Sequence, residues 1–249
     1  MDSLANLTKK EEAHSFAELY FNEHYHEIRH RLFHTTSFFA FVTVITFCNI
    51  KLLVKILESA VANVEFFQLS PGEYFTSTLV ISVYSGLLFS STFLLSQVIF
   101  FYKPALTINE KSIISWLLLG SLILFVLGLL FSYYILIPAA LNFFILYAAD
   151  VLEPFWSFNQ YFTFVSALFL STGLVFQLPV VQVMLTASNV IDPIKMLNFW
   201  RPMILLSTIL GAILTPSADP ITQILLSLAL FILYAFGTYT AIRLEREYV

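Results

Sequence analysis

Six stretches of this chain contain no Lys, Arg, Asp or Glu, and together they cover 164 of its 249 residues. They are 32–50, 74–102, 112–149, 154–191, 202–218 and 220–242, measuring 19, 29, 38, 38, 17 and 23 residues. A bilayer hydrocarbon core about 30 Å thick is crossed by about 20 apolar residues of helix. Lipid offers the backbone no water, so a spanning segment must be a helix or part of a closed barrel. Barrel strands alternate polar and apolar residues, and the run Trp116–Phe131 (WLLLGSLILFVLGLLF) does not alternate. The stretches therefore predict an all-α fold, a polytopic six-helix transmembrane bundle forming a single domain over 1–249. Charged residues make up only 11% of the chain, against about 25% in soluble domains, which excludes a soluble or a disordered protein. Cys48 is the only cysteine, so no disulfide scaffold is possible within the chain. A net charge of −4 argues against a nucleic-acid partner.

The lengths carry further information. Each 38-residue stretch would reach about 57 Å as one straight helix. Pro138 and Pro179 lie inside them, and a kink is expected near each because proline has no N–H to donate. The fifth stretch is short. Pro202 favours a helix start and Pro216 a stop, which leaves Met203–Thr215, about 20 Å of helix. Such a segment thins the bilayer, recruits a partner or lets a polar turn sit within the membrane; a tilted hairpin with a slightly longer first helix is the plainer account.

Ten of the twelve basic residues fall on one side of the predicted membrane: Lys9, Lys10, Arg29, Arg31, Lys103, Lys111, Lys195, Arg201, Arg243 and Arg246. Only Lys51 and Lys55 fall on the other. The positive-inside rule then puts both termini in the cytoplasm or its equivalent, with 1–31 as an amphipathic segment on that side. Six acids within the first 27 residues fit neither a secretory nor an organellar targeting peptide.

Chemistry is sparse. All five histidines lie in the first 34 residues, so the later spans hold no haem ligand of that type. His24 and His26 do not share a helix face, which leaves a solvated polar face as the better reading and no metal site. Neither a nucleophile–base motif nor a phosphate-binding glycine loop is present, so no enzyme and no cofactor is expected. Polar residues inside the spans include Gln97, Asn142, Gln177, Gln182 and Gln223. Gln177 precedes Pro179 and has two readings of equal weight: a local hydrogen bond to backbone freed by the proline, or a docking point for another protein's helix. Glu27 and Arg31, four apart just before the first span, make an ordinary helix ion pair. Glu110 beside Lys111 is, alone, a solvated loop acid. Two acids at one membrane face would jointly suit a cationic peptide, arginine above all, because its planar fork bonds a carboxylate in two places.

Six motifs occur in compatible order from about His24 to Tyr239. They are His24-x-x-Glu27-x-Arg29-x-Arg31-Leu32, Ser70-Pro71-Gly72-Glu73-Tyr74-Phe75, and Phe101-Tyr102-Lys103-Pro104-Ala105-Leu106 with Asn109-Glu110-Lys111. Then come Phe131-Ser132-Tyr133-Tyr134 with Pro138, Phe176-Gln177-Leu178-Pro179-Val180, and Leu214 through Gln223 around Pro216 and Pro220. In these the chain resembles TatC, the receptor subunit of the twin-arginine protein translocase, in its cyanobacterial and plastid branch.

The resemblance implies a glove-shaped bundle with two short carboxyl-terminal helices. It also implies recognition of twin-arginine signal peptides on folded cargo, driven by the proton gradient and sited in a thylakoid or cyanobacterial membrane. Glu27 and Glu110 match the acids that contact the signal. Arg29, Arg31, Phe101 and Pro104 match the supporting cytoplasmic face, and Pro71 and Glu73 the cap motif on the opposite side. Gln177, Pro179, Asp219 and Gln223 match the polar and partner-docking positions, where single-span TatA- and TatB-type subunits would gather, with self-association of the chain also implied. At 177 many relatives carry an acid, and the second loop here lacks the family's adjacent basic pair. Two other readings remain open at this point: a small secondary transporter, for which no internal repeat and no midplane charge is seen, and a scaffold subunit without a cargo site.

Overall fold

The computed structural model describes residues 2–59, 66–103, 111–149, 156–188, 190–216 and 219–248, with no side-chain description for 2–24, 111, 112, 148 and 246–248. Helix follows the uncharged stretches. Its members are α1 (Asp2–Cys48), α2 (Ile50–Glu58), α3 (Glu73–Tyr102), α4 (Lys111–Phe131), α5 (Ile137–Ala148), α6 (Phe158–Val175), α7 (Leu178–Ala187), α8 (Pro193–Asn198), α9 (Trp200–Leu214) and α10 (Pro220–Tyr248). Among the described residues, five apolar helical segments are long enough to cross a membrane: Tyr25–Cys48, Glu73–Tyr102, Ile113–Tyr147, Phe158–Ala187 and Pro220–Glu245. The sixth, Trp200–Leu214, is shorter, about 22 Å of helix.

α-Helical geometry is interrupted ahead of each of the two prolines, in a different way at each. Before Pro138 the backbone widens into a π-helical turn over Ser132–Leu136, and the Ile137 N–H reaches back five residues to the Ser132 carbonyl. Ahead of Pro179 the helix breaks at Phe176–Gln177 and restarts at Leu178. The Gln177 N–H bonds the Leu174 carbonyl, and the Gln177 carbonyl in turn accepts from Val180 and Val181. Pro179 thus lies in the first turn of α7, where its missing N–H leaves nothing unsatisfied.

Two boundaries differ from the sequence expectation. α9 starts at Trp200 rather than Met203, because Pro202 is tolerated anywhere in a first turn. The amino-terminal segment is no separate element, since it continues into the first span as one helix. Charge marks where a helix leaves lipid, not where it ends.

α6–α7 is the central and most buried span, and α1 sits at the edge with little of its surface covered. α1 packs on α3, α3 on α6 and α4, α7 on α10, and α10 on α9. At one end, Ile99, Ile113, Leu117, Val180, Met184 and Ala241 form an apolar cluster. Towards the other, Leu57, Ile81, Ile137, Phe162, Val165 and Leu168 form a second. That second end is closed by a cap. α2 lies over it, with the Tyr161 hydroxyl donating to the Leu57 carbonyl at 2.9 Å. A two-residue parallel bridge pairs Phe66 with Trp156 and Phe67 with Ser157.

Candidate functional site

At the end opposite the cap, Glu27 and Arg31 face each other one helical turn apart on α1. Arg31 donates to a single carboxylate oxygen, Oε1, from Nη2 at 2.5 Å and from Nε at 3.2 Å. Its third nitrogen, Nη1, donates to the Gln97 carbonyl of α3 at 3.0 Å. The guanidinium also lies over the Phe101 ring, 5.8 Å from its centroid. This pair therefore does more than the sequence allowed, because it ties α1 to the last turns of α3. Both side chains stay partly exposed, 37% for Glu27 and 23% for Arg31. Oε2 of Glu27 accepts no hydrogen bond among the described residues. Beside the pair runs a shallow groove of about 250 Å³, walled by Ile28, Leu32, Leu94, Val98 and Phe101. Arg29, the other basic residue of the motif, is exposed. Pro104 and Glu110 lie outside the described residues.

At the capped end, Pro71 is exposed and Glu73 is buried, 7% exposed at the first position of α3. Its Oε2 accepts from the Leu69 N–H at 2.5 Å and from Ser70 at 3.4 Å. Its Oε1 accepts the Ser157 hydroxyl at 2.7 Å and the Asn159 N–H at 3.2 Å. One carboxylate thus fastens the loop before α3 to the start of α6. An acid suits the first turn of a helix, where unpaired N–H groups gather.

Within the bundle, Gln177 is 6% exposed and both ends of its amide meet Ser121 of α4. The Ser121 hydroxyl donates to Oε1 at 2.7 Å, and Nε2 donates to the Ser121 carbonyl at 3.2 Å. Asp219, 1% exposed, caps α10: its Oδ2 accepts the Thr222 N–H at 2.9 Å and the Thr222 hydroxyl at 2.5 Å. Gln223, one residue further on, is half-buried and borders a groove of about 340 Å³ between α9 and α10, with Ile204, Ser207, Thr208 and Ile224. The polar residues singled out from sequence thus fall in four separate places, not one centre.

Two contacts had no local sequence signal. Gln97 was visible only as a polar residue in a span, and its role comes from its carbonyl. Gln182 on α7 donates to the Thr238 hydroxyl at 3.2 Å and to the Tyr234 carbonyl at 3.3 Å, while its own oxygen is buried with no hydrogen-bond partner among the described residues. Neither partner is near it in the chain.

Long apolar helices with few charges, a cap over one end and an acid beside an apolar groove towards the other define an integral, multi-pass membrane protein. Residues 23–228 match the family described as Sec-independent protein translocase protein (TatC), so the chain belongs to the TatC family. It is 43% identical to the Sec-independent protein translocase protein TatC of Synechocystis over 248 residues, 97% of each chain. A tatC-like protein of Trieres chinensis is 58% identical over 220 residues, 88% of this chain and 84% of that protein. The chloroplastic TATC of Pisum sativum is 42% identical over 219 residues, 87% of this chain and 62% of that one. A crystal structure described as the twin arginine translocase receptor TatC superposes with a TM-score of 0.77 at 32% identity, covering 88% of this chain and 99% of that one.

Proposed function

We propose that this chain is the receptor subunit of a twin-arginine translocation system, acting by binding and not by catalysis. The observation that carries this reading is Glu27: a part-exposed carboxylate beside an apolar groove at the end opposite the cap, with no hydrogen bond to Oε2 among the described residues. A signal arginine would bond that carboxylate through its planar fork, and the apolar segment that follows it would lie along the groove. Glu110 is the second acid of the site by its place in the family motif. Single-span subunits of the TatA and TatB type would then gather at the α9–α10 groove around Gln223, where the short α9 makes the bilayer easiest to thin. In this role Asp219 supports the groove from behind, holding the start of α10. Pro71 and Glu73 fix the cap. The ten-to-two distribution of basic residues supports both termini on the stromal or cytoplasmic side, and the cyanobacterial and chloroplastic relatives support a thylakoid membrane.

The test is binding of a labelled peptide carrying two adjacent arginines to the full chain in lipid nanodiscs. Glu27→Gln removes the charge and keeps the shape, and the expected loss is about ten-fold or more for a charge-assisted contact. Equal affinity of the wild type, Glu27→Gln and Glu110→Gln would refute the site.

A further inference from the structure

We infer that Arg31 is the resident occupant of Glu27, so that a signal arginine binds by exchanging one guanidinium for another. The inference rests on the reading of Glu27 as the signal-binding acid and adds the state of that acid before the signal arrives. Within the chain itself Glu27 is paired with an arginine, and with the same chemistry the ligand brings: two N–H donors of one guanidinium on one carboxylate oxygen. The pair forms within a single helix, four residues apart with the acid on the amino-terminal side, which is the favourable order. It is present whenever α1 is folded.

What separates this arrangement from an ordinary surface pair is the far side of Arg31. Nη1 is held by the Gln97 carbonyl, and the guanidinium face rests on Phe101. When a ligand takes Glu27, Arg31 keeps both of these partners on α3. The displaced cation therefore has somewhere to stay, and the exchange leaves no buried charge unpaired. Its two anchors, Gln97 and Phe101, lie on the last turns of α3.

Two consequences are measurable. Pairing with Arg31 subtracts from affinity for every cationic ligand by the same factor, because each must displace the same group. Removing Arg31 then tightens binding of a twin-arginine peptide and a twin-lysine peptide equally, by about two- to five-fold, the factor to which a part-exposed helix pair corresponds. The gain also depends on Glu27: in a Glu27→Gln background the same change has no effect on affinity.

The experiment measures fluorescence anisotropy of the two labelled peptides with the full chain in nanodiscs, comparing wild type, Arg31→Gln, Arg31→Lys, Glu27→Gln and the Glu27→Gln/Arg31→Gln double variant. Arg31→Lys keeps the charge but cannot hold Glu27 and Gln97 together, and it serves also if Arg31→Gln does not fold. Tighter binding by Arg31→Gln, a smaller gain by Arg31→Lys, and no gain on the Glu27→Gln background are expected. If Arg31→Gln tightens binding but Arg31→Lys matches wild type, simple charge repulsion explains the effect and the exchange is refuted. Weaker or unchanged binding by both Arg31 variants, with Glu27→Gln still impaired, refutes the exchange and leaves the site reading intact. If Glu27→Gln binds as wild type, the site reading itself has failed.

Discussion

Replacing Gln177 by Leu separates its structural reading from its docking reading. The side chain has two hydrogen bonds to Ser121, at 2.7 and 3.2 Å, and neither residue reaches the surface, at 6% and 2% exposure. Leucine is about one methylene larger than glutamine, so no cavity opens, and a double-mutant cycle separates the polar contact from the packing change. A buried hydrogen bond contributes about 0.5–1.5 kcal/mol net, and between membrane helices about 0.6 kcal/mol on average. In the variant the Ser121 hydroxyl re-aims at a carbonyl of its own helix one turn back, as serine does in spans. That recovers part of the loss, leaving about 1–2 kcal/mol for the pair and a fall in melting temperature of about 2–6 °C. The assay is thermal unfolding in detergent, run as a double-mutant cycle with Ser121→Ala. A coupling energy near 1 kcal/mol, with normal crosslinking of single-span partner subunits, establishes Gln177 as a clamp between α4 and the α6–α7 break. Coupling below about 0.3 kcal/mol refutes that reasoning, and loss of partner crosslinking at an unchanged melting temperature establishes the docking reading instead.

Glu73→Ala strips the acceptor from Leu69, Ser157 and Asn159 together and lowers the melting temperature by several degrees; Ser157→Ala, which removes one donor, has a smaller effect. An unchanged melting curve for Glu73→Ala would show that the cap is held by the Phe66–Trp156 bridge and α2 alone. Gly237→Ala forces a methyl group into the Gln182 amide and to within 2.8 Å of the Pro179 Cα, a backbone atom that cannot step aside. Overpacking of this kind costs about 1–3 kcal/mol, and it is read by thermal unfolding. The contrast is Gly72→Ala, where nothing lies within 4 Å of the added carbon and stability is unchanged or slightly raised.

Reading this chain from sequence succeeds where one physical rule acts at each residue separately. Lipid rejects a charge wherever it stands, so the gaps between charges outline the spans. Proline lacks its N–H wherever it stands, so Pro138 and Pro179 announce a π turn and a helix break. Contacts that depend on a second residue are hidden in proportion to the chain between them. Asp219 and Thr222 are three apart, and the acid-proline start of α10 leaves a cap signal in plain view. Glu73 meets Ser157 across 84 residues, Arg31 meets Gln97 across 66, and Gln177 meets Ser121 across 56. In each of these cases the sequence shows one polar residue that needs a partner and gives no means of choosing it. Glu27 combines both situations. Its pair with Arg31 is local and legible, yet that pair is what makes the acid look ordinary. The family motif marks it for a further role, and the proposed exchange depends on the Gln97 carbonyl, 3.0 Å from Arg31 Nη1, which leaves that arginine a partner once Glu27 is taken.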